Sequence, residues 1–83
     1  MKIDEKTKEL IAIGASVTAG CKPCLEYHVA KGKEAGACDD EIVDAVAVAK
    51  MVRKGAMSKM DKFAGTVLTG DAVPESSDDC TCV

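Results

Sequence analysis

Apolar side chains recur at helical spacing along most of this chain. Leu10, Ile13, Gly14 and Val17 fall on one side with Ile3, the three-to-four-residue repeat of an amphipathic helix. Asp4 is placed to cap it and Glu5 to favour its positive end, so a helix is predicted over residues 4–18. Glu5, Lys6 and Lys8 form its charged face, while Glu9 sits at the edge of the apolar stripe near Ile13, where partial burial is expected. Ala19-Gly20 breaks the pattern. A second helix is predicted over residues 22–35, with Pro23 in its first turn, where a missing N–H costs nothing, and Gly36 as its stop. Gly32 weakens its last turns.

A third helix follows, capped by Asp39 or Asp40, with Glu41 in the first turn. Its apolar residues from Ile42 to Val52 run nearly all the way round. The valines suggest a strand, but the cap, the length and the alanines favour a helix buried by neighbours on several sides. In so small a domain those neighbours are expected to include other subunits. Arg53-Lys54-Gly55 marks a break or kink, and Met57, Met60, Phe63, Ala64, Val67 and Leu68 predict a fourth helix ending near residue 68. Beyond it come Gly70, Pro74 and the run Glu75-Ser76-Ser77-Asp78-Asp79, too polar to order itself. The expectation is one all-α domain over residues 1–69, of about four helices, and a flexible acidic tail over 70–83 ending in Cys80-Thr81-Cys82-Val83.

Composition adds constraints. Among 83 residues there is no Trp, one Tyr and one Phe, so the core is built from small aliphatic side chains. At this size a single core gives modest stability, and oligomerisation or crosslinks commonly add to it. A net charge of −3 argues against nucleic-acid binding, which needs a basic surface. Residues 1–6 carry no apolar signal core, and no run is long enough to span a bilayer. A cytoplasmic location with no membrane contact is expected. In a reducing compartment, five cysteines read as catalytic or metal-binding rather than as a structural framework.

The chemistry centres on Cys21-Lys22-Pro23-Cys24-Leu25-Glu26-Tyr27-His28. At about 100° per residue, Cys21, Cys24 and His28 share one helical face. Thiols at a helix start feel the positive end of the dipole and unpaired N–H groups, which favour thiolate, and Lys22 adds a cation. Residues three apart on a helix are close enough for a disulfide, so dithiol–disulfide exchange is suggested. His28 by itself reads as an ordinary histidine, but its alignment with both thiols favours a base or proton shuttle. Glu9 by itself reads as a solvated carboxylate.

Glu9, eleven intervening residues, then Cys21-x-x-Cys24-x-x-x-His28 resembles the signature of the alkylhydroperoxidase AhpD-like proteins of the carboxymuconolactone decarboxylase superfamily. The resemblance extends through the following Asp-Glu-Ile-Val-Asp-Ala segment to about residue 68. It implies an all-α AhpD-like core assembled as a homo-oligomer, commonly a trimer or hexamer. It also implies that Cys24 attacks peroxide and passes through a sulfenic acid, that Cys21 resolves it, and that His28 and Glu9 relay the proton. No cofactor and no metal are called for. Expected partners are a dithiol reductant, such as a lipoylated or thioredoxin-like protein, and a peroxiredoxin as oxidised client. Lys22-Pro23 stands where better-known members often have Ser-His, which makes disulfide reduction as plausible as peroxide reduction. The decarboxylase branch generally lacks the Cys pair.

Three further readings concern the remaining thiols. Cys80 and Cys82 lie outside the resemblance. They read either as incidental or as a redox relay to Cys21–Cys24, since a flexible ten-residue run spans about 17–19 Å. Cys38 reads as a small packing residue. The competing classes are a zinc module using Cys21, Cys24, His28 and Cys38, to which Cys80 and Cys82 could add two ligands, and a helical oligomerisation protein without chemistry.

Overall fold

The computed structural model of the chain describes residues 1–69; the predicted tail lies outside them. They form α1 (Glu5–Ala19), α2 (Lys22–Glu34) and α3 (Asp39–Thr69), with no strand among the described residues. The all-α class therefore holds. Two compact units are present, Met1–Lys50 and a second that begins at Met51.

In the first unit, Asp4 caps α1 as expected, its carboxylate accepting the Thr7 N–H at 2.8 Å. The helix ends at Gly20, whose φ of 71° is left-handed and suits glycine. There Gly20 N–H donates to the Val17 carbonyl and Cys21 N–H to that of Ser16, the paired bonds of a Schellman turn. That turn fixes the backbone of Cys21, which is also the first flanking residue of α2. A second turn of the same kind closes α2, with Gly36 N–H donating to Lys33 and Ala37 N–H to Gly32. The predicted stop at Gly36 is found, at a φ of 99°.

The second turn leads the chain from α2 into α3, and the first folds α1 and α2 into an antiparallel hairpin. Its closest approach is at Gly32, where an added Cβ would lie 3.3 Å from Ile13 Cδ1 and 3.7 Å from Glu9 Cβ. Gly32 thus lets α2 come close to α1, a use that outweighs its cost to the helix of about 1 kcal/mol. Ile13 is fully buried, and with Ala37 and Ile42 it forms the core, flanked by Leu10, Leu25, Val29, Ala45 and Val46. Burying a side chain like Ile13 contributes about 1.5–3 kcal/mol. Ile3, expected on this face, is 43% exposed.

Several expectations for the third helix need correction. The residue before α3 is Cys38, not Asp39 or Asp40, and Glu41 reaches back to accept its N–H at 3.0 Å. This is the carboxylate half of a capping box, and it leaves Cys38 exposed instead of packed. Nor does the helix break at Arg53-Lys54-Gly55: it runs on to Thr69, giving three helices where about four were expected. One glycine among good helix formers costs about 1 kcal/mol, too little to end a helix. Within the first unit α3 buries Ile42 and Ala49, while Val43 and Val48 stay exposed. No helix among the described residues is long and apolar enough to cross a membrane.

Candidate active site

The Schellman turn at Gly20 delivers Cys21 to the start of α2, with extended backbone (φ −98°, ψ 99°) and no side-chain cap bond. Pro23 occupies the first turn, its fixed φ matching the helix. Cys24, one turn on, is joined to Cys21 by a disulfide with Cα atoms 5.3 Å apart. The spacing read from sequence is thus short enough for a bond that forms within one helical turn.

His28 follows one turn later, and across the hairpin Glu9 approaches it. Oε1 of Glu9 lies 2.7 Å from Nδ1 of His28. The glutamate is 7% exposed, far deeper than the stripe-edge position suggested, because the Gly32 contact draws the helices together beside it. A buried carboxylate is tolerated when it is paired. An ionised carboxylate only accepts hydrogen bonds, so Nδ1 carries the hydrogen toward it and Nε2 is left as the basic nitrogen. No hydrogen bond joins the ring to either sulfur in this disulfide form. The Tyr27 ring meets that of His28 edge-on at 5.0 Å.

Lys8, read from sequence only as part of a charged face, contacts the far oxygen of Glu9. Its Nζ is 3.7 Å from Glu9 Oε2 and 2.9 Å from Glu5 Oε1. Glu5 first, then Glu9, hold the Lys8 ammonium above the usual lysine range. The signal for the Glu5 contact was present, since Lys8 is three residues after Glu5 on one helix.

Two clefts flank the hairpin. A charged one of about 250 Å³, lined by Glu5, Glu9, Lys31, Glu34 and Ala35, opens at the Glu9 end. An almost wholly apolar one of about 230 Å³, lined by Ser16, Val17, Gly20, Cys21, Lys22 and Leu25, opens at the Cys21 end. Sequence reading placed Val17 on the apolar stripe but gave no sign that it walls a space beside a thiol.

The structure therefore brings together Cys21 with Cys24, and Glu9 of α1 with His28 of α2, the helix that begins at the disulfide. Cys80 and Cys82 lie outside the described residues. Cys38 is a free thiol at the start of α3. Among the described residues no three or more His, Cys, Asp or Glu side chains are gathered as a metal would need, so Cys21, Cys24, His28 and Cys38 do not form a set. Such an arrangement can store two electrons as a disulfide and hold a proton at an imidazole backed by a carboxylate.

Comparison with known proteins adds a family. The sequence profile described as "Carboxymuconolactone decarboxylase family" matches residues 1–63, which include the disulfide, His28 and Glu9. A curated relative, "Uncharacterized protein 4 in cox locus" of Paracoccus denitrificans, is 37% identical over 54 residues, which is 65% of this chain and 49% of the relative. The chain thus spans about half the length of that relative. No solved structure matches it.

Proposed function

The chain belongs to the carboxymuconolactone decarboxylase family, and from that premise we propose that it is a thiol-dependent oxidoreductase of the alkylhydroperoxidase type. The observation that carries the reading is the buried Glu9 carboxylate 2.7 Å from His28, on the helix that opens with the Cys21–Cys24 disulfide. A structural disulfide needs no such pair.

In the proposed cycle His28 takes the thiol proton of Cys24 through Nε2, by way of a water. Glu9 stabilises the imidazolium that results. The Cys24 thiolate attacks the peroxide O–O bond, taking one oxygen as sulfenic acid, and the other oxygen leaves as alcohol after accepting the proton. Cys21 then displaces water from the sulfenic sulfur, forming the disulfide. A dithiol reductant, a lipoylated or thioredoxin-like protein, returns both thiols by exchange, and a peroxiredoxin disulfide is a second acceptor. The cycle needs no metal and no cofactor beyond the two thiols. The disulfide itself supports the exchange half, and the family resemblance supports the peroxide half. We place the chain in a reducing, cytoplasmic setting, where this pair can turn over.

The exposed apolar side chains fit a homo-oligomer, a trimer or hexamer. Val43 and Val48 in the first unit are exposed, as are Met57, Met60, Phe63 and Val67 in the second.

The test is reduced protein given a hydroperoxide. Stoichiometric conversion of Cys21 and Cys24 to a disulfide, lost in Cys24→Ser, supports the proposal. Thiols left unaltered by hydroperoxide and by protein disulfides alike reject it, and disulfide formation with protein disulfides alone would narrow the activity to reductase.

A further inference from the structure

We propose that the apolar cleft beside Cys21 is the entry site for the reductant, and that it selects an aliphatic thiol carrying a negative charge, which opens the disulfide by attacking the sulfur of Cys21. The inference rests on the dithiol reading above and adds which sulfur is attacked and what chemistry the attacker has.

The walls of the cleft argue for an aliphatic chain. Val17 and Leu25 are apolar, and the Ser16 hydroxyl is already spent, donating at 2.7 Å to the Ala12 carbonyl. A sugar-bearing ligand would find few polar partners there, and a space of about 230 Å³ is small beside the pockets that hold drug-sized ligands. A short chain of methylenes fits. The charge preference comes from Lys22, which lines the same cleft, is exposed, and has no ion-pair partner among the described residues. Gly20 is not there to make space for the ligand, because a side chain would meet nothing within 4 Å and the residue serves the turn.

The choice of sulfur follows from which cysteine faces the space. Cys21 lines the cleft and Cys24 does not. A thiolate in the cleft attacks Sγ of Cys21, forming a new S–S bond as the Cys21–Cys24 bond breaks. The electron pair departs on Cys24, which sits in the first turn of α2, where helix N–H groups and the dipole stabilise a leaving thiolate. That thiolate takes a proton from the solvent or from His28. A second thiolate, from another molecule or the other arm of a dithiol, attacks the outer sulfur of the mixed disulfide and releases Cys21. Two thiols are oxidised to one disulfide, and the protein gains two electrons and two protons.

The experiment uses the full-length oxidised chain and a series of straight-chain ω-mercaptocarboxylates of two to eight carbons, alongside the matching ω-aminothiols. Second-order rates of disulfide opening are compared at equal thiolate concentration and divided by those for a Cys-Lys-Pro-Cys peptide disulfide. The normalised rate should rise about two- to fourfold per methylene until the cleft is filled, with carboxylates ahead of amines at each length. Acid-trapped mixed disulfide should map to Cys21 by tandem mass spectrometry. In Val17→Phe the rise with length should flatten, and in Lys22→Glu the charge order should reverse. A flat wild-type series, amines equal to carboxylates, or trapping on Cys24 would overturn the inference while leaving the dithiol reading intact. A chain that forms no reversible Cys21–Cys24 disulfide would overturn both.

Discussion

At the residue scale, the account turns on the separate duties of four side chains. Cys24→Ser should abolish peroxide-driven oxidation. Cys21→Ser should stop it at a sulfenic acid, visible as one added oxygen by intact-mass spectrometry and trapped by a carbon nucleophile. Glu9→Gln keeps the size of the side chain and its ability to accept from Nδ1, but removes the charge behind the ring. Because positioned acid–base groups are worth about 10²–10⁴-fold, a change to the group behind one should cost roughly tenfold or more in the rate of disulfide formation. Circular dichroism should show the helices retained. If Glu9→Gln reacts at the wild-type rate, Glu9 is a structural partner of His28 and nothing more. The Cys21–Cys24 spacing was legible in the sequence, because residues three apart at a helix start lie within reach of a disulfide. The depth of Glu9 was not legible, since it depends on how close a second helix comes.

At the element scale, that approach is set by a residue with no side chain. Gly32 reads from sequence as a weak point in α2, and in the fold it is where α2 meets Ile13 and Glu9. Gly32→Val forces a branched side chain into a filled contact and should destabilise the chain by about 1–3 kcal/mol. It should also slow disulfide formation by parting Glu9 from His28. Chemical denaturation and the oxidation rate measure the two effects, and a variant as stable and as fast as wild type would contradict the packing described. The start of α3 gives a pH prediction. The Cys38 backbone N–H, then the Lys6 ammonium 3.0 Å away, hold the Glu41 carboxyl below its usual range. A carboxylate depressed in the folded state contributes stability that is present above its unfolded value, about 4.3, and is lost as pH falls through the folded value. Thermal melts should therefore drop below about pH 4, and Glu41→Gln should drop less. The cap was misread because Asp is the commoner cap in general; Glu41 works here from the third helical position, a weaker sequence signal. The break expected at Gly55 failed for a related reason. Local propensity proposes a stop, but Arg53, Lys54 and Ala56 on either side favour continuation.

At the scale of the whole molecule, the first unit buries few large side chains and leaves Ile11, Tyr27, Val43 and Val48 exposed. A chain with that balance gains by self-association, and light scattering should give a particle of three or six times 8.6 kDa. A monomer at micromolar concentration would contradict the assembly proposed. The same expectation comes from the sequence, where the apolar residues from Ile42 to Val52 run nearly all the way round the third helix. The central claim is that Cys21 and Cys24 are a working dithiol served by His28 and Glu9. It is tested most directly by treating reduced full-length protein with one equivalent of hydroperoxide and mapping the cysteines over time. The account predicts a single Cys21–Cys24 disulfide per chain, formed far faster than in the unfolded protein and reversed by a dithiol. Oxidation of Cys24 no faster than in the unfolded chain would contradict it.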